Sequence, residues 1–239
     1  MKKIPVLLTL LLCASVLSAQ NTTIHDDNAQ VRNVGSFHAV KVSNGIHLYL
    51  KQGSTDAVAV SASSQDIISR IKTVVENGEL KIYFDNRDWT HWNLKGKQLK
   101  AYVTIRNIDG LEVNSGADAT TDGNINTDNM KITLSSGADF NGQITASKLW
   151  IDQSSGSDMD IKGKVSYVEI KTSSGSDFNG YDLISETCAA EASSGSGIEI
   201  TVNKNLKASA SSGGDIHYKG DASISEISNS SGGRIKKQS

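Results

Sequence analysis

The chain has 239 residues, with 24 basic and 26 acidic side chains, one proline and two cysteines. This length allows one large domain or two small ones. A nucleic-acid partner requires a basic surface that neutralises phosphates, and this slightly acidic composition predicts none.

The chain begins with a pattern typical of a secretory signal peptide. Lys2 and Lys3 precede an apolar run from Ile4 to Leu17, and the small residue Ala19 offers a cleavage site. The run is shorter than the ~20 residues that span a bilayer, so we predict no transmembrane segment. Cleavage removes two of the 24 basic residues, which leaves 22 against 26 acidic ones and a net charge of −4. We therefore predict an exported protein in the periplasm, on the outer surface or in the medium, with residues 1–19 as the leader and 20–30 as a flexible N-terminus.

Residues 31–110 alternate apolar and polar side chains in short stretches, as strands with one buried face do. Within this region, residues 64–71 place three isoleucines on one side and predict a short helix capped by Ser63 or Ser64. Asn77-Gly78 between two alternating stretches predicts a hairpin with a type I′ turn, although a longer helix through Val75 competes with it.

An aromatic segment follows the hairpin. Trp89, His91 and Trp92 stand in a polar stretch between predicted strands. Exposed aromatic rings stack on sugar faces and anchor protein interfaces, so these three residues are candidate ligand-binding residues. The alternative is that the rings fold back over the short helix or one end of the protein and serve packing alone.

The second half of the chain repeats a Ser-Gly pair every 18 to 21 residues. The glycines of the seven pairs are Gly116, Gly137, Gly156, Gly175, Gly195, Gly213 and Gly232. Five residues before each glycine stands an apolar residue, such as Ile132, Ile151 and Ile170. Apolar and polar positions alternate around this column, which indicates a strand with one buried face.

Stacking is the arrangement that buries these columns. Coils stacked at ~4.8 Å place equivalent residues in files that line one core, whereas a single repeat cannot bury its own face. The period is too short for a βαβ unit of ~30 residues and about half that of a propeller blade. We predict an all-β protein with a single-stranded parallel β-helix over residues 111–235, its glycines at corners where φ is positive. Residues 31–110, with their short helix, are expected to pack on or continue this solenoid and to cover its end, and residues 236–239 form a basic tail that frays.

Two side chains of the repeats can be placed by their columns. Cys188 falls in an apolar column seven residues before the glycine, so we expect a buried thiol that acts as a small hydrophobe. Trp150 lies between the core residues Leu149 and Ile151, so its ring is expected to face outward as a further candidate binding residue. Once the leader is removed Cys188 has no cysteine partner, which excludes an internal disulfide.

An acidic file is the candidate metal site. Two residues after the glycine, five of the repeats carry an aspartate, namely Asp118, Asp139, Asp158, Asp177 and Asp215. Stacked carboxylates ~5 Å apart repel unless they are solvated, bonded to backbone amides or bridged by a cation. A Ca²⁺-bridged edge is one interpretation, because Ca²⁺ prefers carboxylate oxygens. The other is that each aspartate bonds the backbone of its own turn, which the interruption at Gly197 favours. No other cofactor is predicted.

Four features in order resemble a known family. They are the leader, an opening of the type Phe37-x-x-Val40-x-Val42-Ser43-x-Gly45-Ile46, the stretch Val-Glu-Asn-Gly-Glu-Leu-Lys-Ile at 75–82, and the repeats from Ser115 onward. Over roughly residues 31–220 the chain resembles the putative auto-transporter adhesin, head GIN domain family of secreted Bacteroidetes proteins. The resemblance implies a right-handed parallel β-helix at the cell surface or in the periplasm, and it supplies no catalytic residues.

Three functions are open at this point. The first, which we predict, is an exported, non-catalytic, adhesin-like module whose repetitive face binds a glycan or protein ligand. The second is a structural or envelope-maintenance protein without adhesion. The third is a polysaccharide-acting β-helix enzyme, which the uniform repeat length disfavours because it leaves no long loops to build a cleft. No Gly-x-Ser-x-Gly elbow and no histidine pair with metal-ligand spacing occurs in the sequence.

Overall fold

The computed structural model describes residues 26–87, 96 and 98–238, and strands dominate this part of the chain. The predicted leader lies outside the described residues. Among the residues described there is one helix, and none is long and apolar enough to cross a membrane. The elements in chain order are β1 (Gln30–Arg32), β2 (Ala39–Val42), β3 (His47–Gln52), β4 (Ala57–Ser61), α1 (Gln65–Arg70), β5 (Ile71–Glu76), β6 (Glu79–Phe84), β7 (Lys100–Ile105), β8 (Gly110–Asn114), β9 (Asp118–Ser135), β10 (Asp139–Gln153), β11 (Asp158–Thr172), β12 (Asp177–Ala192), β13 (Gly197–Ala210), β14 (Asp215–Lys219), β15 (Ser223–Asn229) and β16 (Arg234–Lys237).

The repeats stack as a parallel β-solenoid of about seven turns, which confirms the predicted fold class. Strand β10 pairs in parallel with β9 on one side and β11 on the other. Ile132, Ile151 and Ile170 lie opposite one another in this register and are buried. Cys188 is buried in the same core, as predicted, and its burial raises the pKa of the thiol, so the group stays neutral.

The corners of the solenoid are turns in which both residues of the Ser-Gly pair have a left-handed backbone. At Ser155 and Gly156, φ is 59° and 64°. The sequence predicted this conformation for the glycine but not for the serine. It aims the peptide groups along the solenoid axis, so that the Gly156 N–H donates to the Ser174 carbonyl of the next coil at 3.1 Å. The same bond joins each corner to the next, from Gly45 to Ser231, so backbone pairing continues through the turns.

The coil that comes first in the chain is second in the stack. Strand β2 lies between β6 and β8, and β3 lies between β7 and β9, all of them parallel. The corner between β2 and β3 is Asn44-Gly45, which has the same left-handed pair as the Ser-Gly corners. Strands β6 and β7 form the terminal coil, and β4 and β5 pair with it antiparallel. The edges of this terminal coil are therefore covered.

The hairpin and the short helix occur where the sequence predicts them, and Ser64 is the N-cap residue, but its side chain makes no capping hydrogen bond. Strands β5 and β6 pair around Asn77-Gly78, and both turn residues have positive φ, as a type I′ turn requires. Helix α1 ends at Arg70, so the competing prediction of a helix through Val75 is wrong. The β-branched residues after Arg70 pair with β6 instead, while Ile67 and Ile68 of the helix join the core.

The opposite end of the solenoid is open. Strand β15 pairs with β13 along one edge, and all seven of its residues are exposed. Ile224 and Ile227 stack on the buried Leu206 and Ala208 yet remain 41% and 48% exposed. Among the described residues nothing covers this end of the core.

The expectation that the basic tail frays is wrong for two of its residues. Lys236 and Lys237 belong to β16 and pair with His217 and Tyr218 of β14. Ile235 packs against the core and holds the strand in place.

Replacing Ser155 with asparagine is expected to raise the free energy of unfolding by up to about 1 kcal/mol, because asparagine tolerates a left-handed backbone better than serine. Urea unfolding followed by circular dichroism measures the change. Ser154→Asn, one residue earlier and outside the left-handed region, is the control and should alter stability by less than about 0.5 kcal/mol. A loss of stability in Ser155→Asn would contradict this account of the corner.

Alanine substitutions at two glycines should separate steric from conformational cost. A Cβ on Gly163 would lie 1.9 Å from the carbonyl oxygen of Ile144, whereas a Cβ on Gly156 meets nothing within 4 Å. Both positions have a positive φ, 132° at Gly163 and 64° at Gly156, so both variants carry a conformational cost. We expect Gly156→Ala to cost about 1 kcal/mol through its φ alone, and Gly163→Ala to cost about 3 kcal/mol because overpacking is added. Equal losses in thermal unfolding would rule out the steric term.

Candidate functional site

The strands that follow the corners form one flat side of the solenoid, which we call the aspartate face. Its first outward column lies two residues after each corner glycine, and its second lies four residues after. The register places the predicted aspartates of the first column in one file, interrupted at Gly197. In stacking order the aspartates are Asp118, Asp139, Asp158, Asp177 and Asp215.

A basic side chain closes each end of the file. His47, in the coil before Asp118, places its Nδ1 3.5 Å from an oxygen of that carboxylate. Arg234 takes the place of the aspartate in the last repeat and donates two hydrogen bonds of 2.8 Å to Asp215. The three aspartates between these ends have no basic group within 4.0 Å among the described residues.

The surroundings of each aspartate in the file change the pKa of its carboxyl group. Burial raises the pKa of Asp139, and the neighbouring charges of Asp118 and Asp158 raise it further. The hydrogen bonds from Arg234 lower the pKa of Asp215. The middle of the file therefore carries uncompensated negative charge.

Neither predicted role of the file is visible in its contacts. The side chains of the four aspartates before Gly197 accept no hydrogen bond from the backbone of their own turns. Within residues 26–87, 96 and 98–238 no three His, Cys, Asp or Glu side chains are arranged to hold a metal ion. Calcium binding by this file stays a prediction.

The second column forms a ridge with a groove on each side. It runs through Asn141, Asp160, Asn179, Glu199 and His217. The two grooves have volumes of about 340 and 450 Å³, and three members of the ridge line both of them. Gly197 leaves a gap in the aspartate file, and the carboxylate of Asp177 lies over it. The face thus offers carboxylate and amide groups along two channels parallel to the solenoid axis.

The predicted aromatic residues do not join the aspartates. The ring of Trp150 faces outward, as predicted, but on the strands that precede the corners. It is half-buried between Lys131 and Glu169, beside a depression of about 160 Å³. Trp89, His91 and Trp92 lie outside the described residues. Their segment connects β6 to β7, where the other coils have a short corner.

An aromatic stack at one end of the aspartate face was missed by the sequence analysis. The ring of Tyr49 lies 4.5 Å from that of His47 and 5.1 Å from that of Tyr102, centroid to centroid. Burial raises the pKa of Tyr102, and its hydroxyl donates to Asp26 at 2.8 Å. The rings of the two tyrosines are nearly parallel and cover each other, so the stack offers edges rather than a free ring face.

Comparison with known proteins identifies the family to which the chain belongs. A family model described as putative auto-transporter adhesin, head GIN domain, matches residues 36–222. No curated protein matches the chain.

Solved structures from Bacteroidetes share the fold. A putative adhesin from Bacteroides fragilis is 18% identical with a TM-score of 0.80, and the match covers 88% of this chain and 96% of the other. A putative adhesin from Parabacteroides merdae is 14% identical with a TM-score of 0.64, covering 88% and 95%. A putative lipid binding protein from Parabacteroides distasonis is 16% identical with a TM-score of 0.61, covering 90% and 98%. At these identities the likeness concerns the fold alone.

Two aspartates of one file should shift stability in opposite directions with pH. The raised pKa of Asp139 means that its ionised form opposes folding at neutral pH, and this penalty disappears as pH falls through that pKa. The lowered pKa of Asp215 means that its ionised form supports folding above the ordinary value of 3.8, and this support is lost as pH falls through the folded-state pKa.

We therefore expect Asp139→Asn to raise the melting temperature slightly at pH 7 and Asp215→Asn to lower it. In calorimetric scans the Asp139 difference should shrink as pH falls toward the ordinary value of 3.8. The Asp215 difference should persist there and shrink only at lower pH, because the folded-state pKa of Asp215 lies below that value. Shifts of the same sign at pH 7 would refute the assigned charge environments.

Proposed function

Since the chain belongs to the putative auto-transporter adhesin, head GIN domain family, we propose that it is an exported, non-catalytic module that holds a surface partner against its aspartate face. The observation that carries the proposal is the unneutralised file of Asp139, Asp158 and Asp177 beside two grooves that run along the solenoid. The repeated, in-register face supports contact with an extended partner rather than with a single small substrate.

The charge of the face indicates the chemistry of that partner. Three adjacent carboxylates with no basic group within 4.0 Å among the described residues repel one another. Burial raises the pKa of Asp139, and the charges of Asp118 and Asp158 add to the shift. A partner that brings positive charge relieves this repulsion on binding, which favours association and speeds encounter. We therefore propose a protein partner with a basic surface segment, whose Lys and Arg side chains enter the groove of about 450 Å³ beside Asp158 and Asp177. The other groove already contains Lys162 and is left to the polar part of the segment.

Regular repetition also supports binding over catalysis. A hydrolytic site needs two groups at one place whose pKa values are pushed apart. Along this face the same carboxylate recurs from coil to coil, and such a series suits many equivalent contacts. Export remains part of the proposal and rests on the cationic and apolar N-terminal segment of the sequence.

Binding of the mature protein to immobilised cell-surface extracts tests the proposal. The triple variant Asp139→Asn, Asp158→Asn, Asp177→Asn should bind at least about tenfold more weakly, because the charges that meet the partner are removed. Raising the ionic strength should weaken the wild type in the same way, since exposed charges are screened beyond ~10 Å at 0.1 M salt. Protease treatment of the extract should abolish capture, whereas periodate oxidation of its sugars should not.

The matched control is Asp152→Asn, Glu169→Gln, Glu191→Gln. These residues lie on strands that precede the corners, so the variant changes net charge equally on another side of the solenoid. It should bind within about twofold of the wild type. Unchanged binding by the triple aspartate-face variant would contradict the proposal. Loss of wild-type binding in chelator would favour the calcium-bridged edge instead, and an envelope defect on gene deletion without any captured partner would favour the structural role.

A further inference from the structure

Another groove lies away from the aspartate file, at the corner where the chain enters the strands that precede the Ser-Gly turns. We call it the corner groove. Its volume is about 720 Å³, within the range of small-molecule sites. His38 and Asp109 stand at one end, and the corners of the next two coils, residues 126–129 and 145–147, form the rest.

A break in an apolar column opens this groove. Seven residues before the corner glycine, the later coils hold buried side chains such as Met130 and Leu149. In the two coils before them this position is His38 and Asp109, which are exposed and form a bond of 2.7 Å. Ile108 fills the core in place of Asp109, so the corner is recessed at this point.

Several polar side chains of the groove have no partner within the described part of the chain. Asn107, Asp128, Asn129 and Ser147 make no side-chain hydrogen bond there. Thr127 differs, because its hydroxyl donates to the carbonyl of Ile108 at 2.8 Å and so fixes the corner. The groove therefore combines a positioned backbone with amide, carboxylate and hydroxyl groups that are available to a ligand.

We propose that the corner groove binds a neutral, hydroxyl-rich saccharide. Sugar hydroxyls both donate and accept, which matches the amides of Asn107 and Asn129 and the carboxylate of Asp128. Ile108 and Ala146 also line the groove, between these polar groups. Asp109 and Asp128 repel anions, so uronates and phosphates are disfavoured.

The histidine–aspartate pair does not make this groove a hydrolase site. Nδ1 of His38 is bonded to Asp109, as in a catalytic triad, which leaves Nε2 as the only possible base. Nε2 lies against Gly78, 2.5 Å from where a Cβ on that glycine would be. That atom therefore faces the hairpin turn, and the pair serves to orient Asp109 at the rim.

The test is titration of the mature protein with galactose, glucose, N-acetylglucosamine and maltose, followed by saturation-transfer NMR and calorimetry. Galacturonate is the anionic comparator. We expect at least one neutral sugar to bind with a millimolar dissociation constant and galacturonate to bind at least about tenfold more weakly. Ser147→Trp fills the groove from an exposed corner and should weaken sugar binding by about tenfold or more.

Ser166→Trp is the matched control, because Ser166 is also exposed and occupies the same corner one coil further along, outside the groove. It should bind sugar within about twofold of the wild type. Asn107→Ala with Asn129→Ala removes two amides without adding bulk and should also weaken binding.

Failure of all four neutral sugars to bind, equal binding of galacturonate, or unchanged binding in Ser147→Trp would overturn the proposal. This inference is independent of the aspartate face. The Asp139, Asp158, Asp177 variant should keep sugar binding, and Ser147→Trp should keep binding to surface extracts, so failure of either site can be recognised separately.

Discussion

The hydrogen bond that each corner glycine donates to the serine carbonyl of the next coil fixes the register of the solenoid. Both residues of the corner must adopt a left-handed backbone for this bond to run along the axis. Because side chains alternate sides along a strand, a slip of one residue would exchange the core and the surface. By fixing the register, the corner bond determines both that Ile151 faces inward and that Asp158 faces outward.

The register that builds the core also brings the aspartates of the surface close enough to repel one another. Identical positions meet in every coil, so an aspartate repeated in sequence becomes a file of like charges in space. At the two ends of the file, His47 contacts Asp118 and Arg234 pairs with Asp215, which reduces the repulsion there. The repulsion among Asp139, Asp158 and Asp177 remains, which is why the proposed partner carries positive charge.

The contacts between the repeats could be predicted from the sequence, because residues one period apart in the chain lie opposite each other in neighbouring coils. Ile132, Ile151 and Ile170 are spaced by 19 residues, so an alignment on the glycines already pairs them. The serine of the corner gave no such signal, because its left-handed backbone is imposed by the bond to the next coil rather than by its side chain.

The non-periodic contacts were not accessible in this way. The stack order places β2 between β6 and β8, and sequence spacing alone does not indicate such a crossover. His38 and Asp109 meet across 71 residues, and Tyr49 and Tyr102 across 53, neither of which is a multiple of the period. The corner groove and the aromatic stack therefore became visible only once the terminal coil was placed, while calcium binding and the roles of Trp89, His91 and Trp92 stay predictions.

The two ends of the solenoid differ, and this difference bears on how the number of coils can vary among such proteins. Antiparallel strands close one end, whereas at the other end no described residue covers Ile224 and Ile227 of the last coil. A duplicated or excised unit of about 19 residues would join equivalent backbone positions and keep the stacking of one coil on the next. The length of the face can thus change in whole-coil steps while the antiparallel strands at the closed end stay as they are.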